Sequence, residues 1–335
     1  MGIEAAGAES RLLELNCDGD PVTLLYYNPI CLEHDTGEHP ERASRILGAA
    51  RFLQEAVHHL GCQFASWPPI SASRLERVHT AAYLETVREF AAKGGGYLDP
   101  DTVVCPRSYE IAQVGAGAVA DAVQRVVGGK AQQAFCLIRP PGHHALADTA
   151  MGFCLLNNVA VGARVAIDEL GLDRVLIVDW DVHHGNGTQA IFWEDPQVGF
   201  YSIHRYPFYP GTGAADEIGE GAGRGATRNV PIEFGTSRAD YLRQFRESVE
   251  EFAAQIRPQL VLISAGFDAH RDDPIGSLGL ESEDFATLTD VVLRIADEYA
   301  SGRVVSVMEG GYNPRAVAES VEAHLQHMIA WPPSR

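Results

Sequence analysis

The sequence predicts an α/β fold of three layers, with a central, mostly parallel sheet between two layers of helices, on three observations. Apolar runs of strand length alternate with amphipathic windows of helix length through most of the chain. The strand runs are continuously apolar, as in a parallel sheet covered on both faces. Four of them end in loops dense with His, Asp, Gly and Pro.

Residues 1–20 read as a loosely ordered N-terminal extension, followed by a strand at Val22–Tyr27. Further strands are expected at Ala134–Ile138, Val175–Asp179, Val198–Ile203, Leu260–Ser264 and Val304–Met308. The windows Glu41–His59, Ser108–Val127, Leu155–Leu170, Arg238–Ile256 and Ser282–Ala300 carry Ala, Leu, Val and Ile at helical spacing. Ser237 before the fourth window and Pro258 after it are start and stop signals. No repeat or low-complexity linker divides the 335 residues, so the chain reads as one domain, 1–335. The glycine clusters 94–96, 128–129 and 219–225 do not form a phosphate-binding G-x-G-x-x-G after a strand and read as loops.

Composition narrows the function classes. With 46% hydrophobic and 21% charged residues the chain is an ordinary globular protein. It has no run of about 18 apolar residues, so no membrane span is expected. The first twenty residues lack the basic and apolar regions of a secretory signal, and Ala6 stands where myristoylation wants Ser or Thr. The expected compartment is the cytoplasm. Six cysteines without a C-x-x-C pair read as reduced, mostly buried thiols. Asn186-Gly187-Thr188 is a chance match to a glycosylation signal. A net charge of −19 with no basic stripe argues against direct nucleic-acid binding. The acidic surface suits cationic substrates, and solubility explains it equally well.

In open parallel sheets ligands bind beyond the carboxyl ends of the strands. RPPGHHA (139–145), DWDVHHGNG (179–187), SAGFDAH (264–270) and MEGGYNP (308–314) all occupy such positions. Asp181 and His183 stand two apart, on one face of an extended segment. With Asp268, which also follows an apolar strand, they make the three-ligand, open-position set of a catalytic zinc. An ion-pair network is the alternative. In RPPGHHA the Pro-Pro-Gly turn can hold His143 and His144 at a cleft, where unequal surroundings would separate their proton affinities. A surface pair, as His58-His59 reads, is the bland possibility. Tyr312, after two glycines, can reach over the site and donate to an oxyanion, or simply pack. Assembled, these parts suit hydrolysis of an unactivated amide.

These motifs, with DTGEHPER (35–42), MGFCLLNN (151–158) and SIH…PGTG (202–213), resemble the histone deacetylase superfamily in kind and order over nearly the whole chain. HPER and Asn186 look more like class II and bacterial deacetylase-like amidohydrolases than class I. The resemblance implies the arginase/deacetylase-like fold. It implies one zinc on Asp181, His183 and Asp268, and Tyr312 as oxyanion donor. His144 would be general base and acid, oriented by Asn186, and His143 with Asp179 its electrostatic partner. Phe153 and Tyr209 would wall an acyl-lysine tunnel, Gly152 would accept from the substrate amide, and Asp101 would grip the substrate backbone at the rim. Arg42 would line an inner acetate channel. The family also binds potassium. The matching positions are Asp179, Asp181, His183, Ser202 and Ile203 for an inner site, and Phe192, Asp195, Val198 and Ala226 for an outer one. Tyr312 is retained where some class IIa members carry His, which implies ordinary deacetylation. Ile275 stands where acetylpolyamine-selective relatives place an acidic gatekeeper, which favours an acyl-lysine peptide or protein over a small acylated amine, although Asp101, Asp272 and Asp273 could substitute. A non-catalytic acyl-lysine reader is a further alternative. A binuclear arginase-like hydrolase lacks its extra bridging acids here. Oligomeric assembly is left open.

Overall fold

The structure is a computed structural model, and it describes residues 23–332. Val22 and the extension expected at residues 1–20 lie outside the described residues, as does Cys17. Ten strands are β1 (Thr23–Tyr26), β2 (Cys62–Phe64), β3 (Gly96–Tyr97), β4 (Val103–Val104), β5 (Gln133–Cys136), β6 (Val175–Asp179), β7 (Val198–Arg205), β8 (Thr227–Ile232), β9 (Leu260–Ala265) and β10 (Val304–Met308). β3 and β4 form a small antiparallel pair. The other eight make one parallel sheet in the order β2-β1-β5-β10-β9-β6-β7-β8.

The helices are α1 (Leu47–His59), α2 (Ala72–Leu75), α3 (Ala81–Ala92), α4 (Ser108–Val127), α5 (Asn158–Arg164), α6 (Asn186–Ile191), α7 (Arg238–Ile256), α8 (Ser282–Tyr299) and α9 (Pro314–Ala330). α5 continues through a π-helical stretch over Val165–Glu169, and together they fill the window expected at Leu155–Leu170 from Asn158 to Glu169. Several helix starts are capped by short polar side chains. Asn157 accepts from Ala160 N, Ser237 from Asp240 N, and Asn313 from Arg315 N and Ala316 N.

Alternation along each strand divides the core. On β6, Leu176 and Val178 belong to one apolar cluster with α1, α7, α8 and α9, while Val175 and Ile177 belong to another with α3, α4 and α5. Both faces are therefore covered, which is why β6 reads as uninterrupted apolar sequence. Each such fully buried side chain contributes about 1.5–3 kcal/mol. Among the described residues, five cysteines are unpaired and four of these are buried. Among them also, no helix is long and apolar enough to cross a membrane.

The topology matters for function in one respect. β5, β10, β9 and β6 are immediate neighbours, and these are the four strands whose carboxyl ends carry the His-, Asp- and Gly-rich loops. Residues more than a hundred positions apart thus meet over the centre of the sheet.

Candidate active site

β6 delivers Asp179 at its last position, and the chain continues so that Asp181 and His183 follow at alternate places. β9 delivers Asp268 across the β6–β9 pairing. Ligand-type atoms of Asp181, His183 and Asp268 all lie within 4.8 Å of one another, and all three residues are buried. His183 turns Nδ1 to Asp181 Oδ1 at 3.0 Å and to Asp268 Oδ2 at 3.1 Å. Asp181 Oδ2 accepts from Gly310 N (2.8 Å) and Asp268 Oδ1 from Val182 N (2.8 Å). Beyond that contact with His183, Asp268 Oδ2 has no hydrogen-bond partner. The close approach requires glycine at 310, because a Cβ there would stand 2.2 Å from Asp268 Oδ2 and 2.5 Å from Asp181 Oδ2.

The electrostatics of this cluster call for a cation. Burial pushes the Asp268 carboxyl up to about 7, with the Asp181 charge adding to it. For His183 burial works against charge, but Asp181 and Asp268 outweigh it and raise the imidazole to about 10. Two carboxylates and an imidazole, buried and with one carboxylate oxygen held by nothing beyond its contact with the imidazole, fit the ligand set of a divalent metal.

β5 brings the two histidines. His143 Nδ1 is 2.9 Å from Asp179 Oδ2, and His144 Nδ1 is 2.7 Å from Asn186 Oδ1. Their rings lie 4.0 Å apart, centre to centre. Burial opposes charge on His143, but Asp179 and Asp181 raise it to about 10. His144 is driven well below the ordinary value by burial, then by the charges of His143 and His183. The two imidazoles are split, one charged and one neutral. Glu309, on the loop after β10, accepts from Gly142 N (2.7 Å) and His143 N (3.2 Å) and so grips the turn that carries both.

A cavity of about 220 Å³ leads from solvent to His144 and His183, lined also by Asp101, Gly152, Phe153, Phe208, Tyr209, Ile275 and Tyr312. Phe153 holds a left-handed backbone (φ 70°) that costs a non-glycine residue energy, and its ring packs edge-on against Tyr312 at 5.6 Å and His39 at 4.5 Å. Gly152 N donates to Asp101 Oδ1 (3.0 Å). Burial, then Asp268 and Asp181, hold the Tyr312 phenol well above its ordinary range, so it stays protonated.

All five residues expected to contact substrate line this one cavity. Phe208 lines it too and escaped the sequence reading, although it precedes Tyr209. The inner-cation positions Asp179, Asp181, His183, Ser202 and Ile203 are all buried, with Ser202 beside Asp179 in the β6–β7 register. At the outer set, Asp195 N donates to Phe192 O (3.0 Å) and Phe200 N to Ala226 O (2.8 Å), and Val198 begins β7. Arg164 already pairs with the Asp195 carboxylate at 2.7 Å. His184 has turned elsewhere, to Thr212 Oγ1 (2.8 Å) and Gln189 Oε1 (3.0 Å).

One expectation needs correction. Arg42 does not line an inner channel: it is exposed and pairs with Glu38. The inner guanidinium is Arg45, one helical turn on, buried and 5.7 Å from the Tyr312 ring centre. Glu41 holds both Arg45 (2.9 Å) and Arg139 (2.6 Å).

Comparison with known proteins shows the family. The sequence profile of the histone deacetylase domain matches residues 39–328. The histone deacetylase-like amidohydrolase of Pseudomonas aeruginosa is 43% identical over 310 residues, 87% of this chain and 82% of that protein. A probable deacetylase of Archaeoglobus fulgidus is 37% identical, with the same two coverages of 87% and 82%. The crystal structure of the HDA15 HD domain superposes with a TM-score of 0.86 at 35% identity, covering 94% of this chain and 91% of that one. The chain therefore belongs to the histone deacetylase family and is one of its hydrolytic enzymes.

Proposed function

We propose that this enzyme removes acetyl or other acyl groups from the ε-amine of lysine in peptides or proteins, with one zinc ion held by Asp181, His183 and Asp268. The observation that carries the reading is one largely apolar cavity lined by His144, Tyr312 and His183 of the buried ligand cluster. Zinc, when bound, would polarise the acyl carbonyl and activate water.

The remaining work falls to side chains. With Nδ1 fixed on Asn186 Oδ1, neutral His144 keeps its Nε2 lone pair free to take a proton from water. The same nitrogen then returns it to the leaving amine. His143, charged and locked on Asp179, keeps its neighbour neutral and offsets negative charge. Tyr312 donates its phenolic proton in a hydrogen bond to the developing oxyanion. Phe153 and Tyr209 exclude water around the extended lysine stem, and Asp101 accepts from the backbone of the substrate. We assign potassium to the inner positions around Asp179, whose carboxyl is buried. At the outer positions Arg164 already supplies positive charge to Asp195, so the case for a second ion rests on backbone carbonyls.

Ile275 at the cavity wall favours a peptide over a polyamine, since it offers no charge to a distant ammonium. The test is turnover of acetyl- and longer acyl-lysine peptides beside acetylputrescine, with metal analysis of the same preparation. Faster cleavage of the peptides and one zinc per chain are expected. Preference for acetylputrescine would replace this reading by that of a small-amine amidohydrolase. A zinc-loaded protein that binds acyl-lysine peptides without turnover would make it a reader instead.

A further inference from the structure

Arg205 closes β7, and the hydrolytic reading leaves it without a role. Its backbone N–H donates to Val182 O at 2.9 Å, between Asp181 and His183 in sequence. Its Nη1 donates to Gly276 O at 2.9 Å. Gly276 lies directly on the Asp268 backbone, where an added Cβ would stand 2.4 Å from Asp268 O. The guanidinium carbon is 4.2 Å from the Phe208 ring centre and 4.3 Å from that of Phe234, which is exposed. Phe208 in turn stacks on the His183 imidazole, 5.3 Å between centres and 15° from parallel. The backbone of Arg205 thus holds the segment of Asp181 and His183, while its side chain reaches two walls of the cavity, Phe208, which stacks on His183, and the loop of Ile275, which lies on Asp268.

A guanidinium suits this place because it can lie flat on an aromatic face while donating in its own plane. An ammonium cannot do both. We infer that Arg205 is a positioning residue: through Phe208 it braces the His183 ring, and through Gly276 it holds the Ile275 loop against Asp268. It thereby sets both the ligand triangle and the width of the cavity. This rests on Asp181, His183 and Asp268 being the zinc ligands.

The experiment uses the full-length zinc-loaded protein and the variants Arg205→Ala, Arg205→Lys and Phe234→Ala. It measures the rate at which a chelator strips zinc, and kcat and KM for lysine peptides of increasing acyl length. Removing groups that orient metal ligands costs about 10- to 100-fold in metal affinity, and at this one further remove Arg205→Ala should lose zinc about 10-fold faster. Its KM for the acetyl peptide should rise more than its kcat falls, with longer acyl chains gaining relative to acetyl. Arg205→Lys should lie between it and the parent, and Phe234→Ala should move the same readouts less. Zinc loss and acyl preference unchanged in Arg205→Ala, even with a lower melting temperature, would overturn the inference. If that variant does not fold, Arg205→Lys decides by the same two measurements. Stripping reads no turnover, so a parent that holds zinc but cleaves no acyl peptide defeats the hydrolytic reading and leaves the brace to be judged.

Discussion

His324, on α9, and Asp268, just past β9, are both sealed from solvent, and both adjoin Phe267. His324 meets Thr289 Oγ1 at 2.6 Å through Nδ1 and Ser306 Oγ at 2.9 Å through Nε2, so both ring nitrogens are used. Burial pulls it down to about 3, and it stays neutral. Asp268 keeps one oxygen with no hydrogen bond beyond its contact with the His183 ring, beside another buried acid. A polar group whose hydrogen bonds close on themselves fixes a core, whereas one left open at this depth carries a cost that a ligand can relieve. The contrast separates scaffold from site without reference to motifs.

The strongest way to break the contrast is Asp268→Ala. It should abolish zinc binding and bring turnover to background, while the zinc-free protein loses less melting temperature than His324→Leu does. Metal analysis and calorimetry check this, and retained zinc would show that the open oxygen is not a ligand. Tyr312→Phe should keep zinc and lose about 100- to 1,000-fold in kcat, as when one oxyanion donor is removed. An unchanged kcat would identify a different donor.

The closed networks can be tested by pH. His79 accepts from Asn157 N through Nε2 (2.9 Å), meets Leu146 O through Nδ1 (2.9 Å), and is pulled down to about 4 by burial. Between about pH 6.5 and 4 the unfolded chain binds the proton that the folded chain refuses. Stability is therefore fully present above that window and falls as pH drops through it, by up to about 3 kcal/mol for this group. His79→Gln should flatten the slope of melting temperature against pH, and an unaltered slope would place the titration elsewhere. The smallest effect belongs to His324→Leu, which strands Ser306 Oγ at about 1–3 kcal/mol without changing kcat of the folded fraction.

Six of the eight strands in the main sheet were legible because both of their faces are buried, so apolar sequence and strand coincide. The two missed strands are its edges. β2 has only three residues, and β8 carries Arg228, Asn229 and Pro231, which break the apolar run. α9 escaped despite buried Val317, Val321, Leu325 and Met328 at helical spacing. The zinc-type cluster and the His143–Asp179 and His144–Asn186 pairs lie together, and the two pairs were legible only through the family resemblance. What sequence could not rank was which of two arginines three apart turns inward. Arg42 is the extended residue before a short 3-10 helix over Ala43–Ile46 and Arg45 lies inside it, and packing on Glu41 and Tyr312 chooses between them. Arg205 was illegible for a related reason, since its partners come from four separate stretches of chain.

Gly310 has an evolutionary consequence. The space its missing side chain leaves is already filled by carboxylate oxygen. A methyl group there would act as a permanent inhibitor built into the polypeptide, prising the acids apart before any ion arrived. Of all single-base routes away from activity, Gly310→Ala is thus among the shortest in chemical change, one carbon atom.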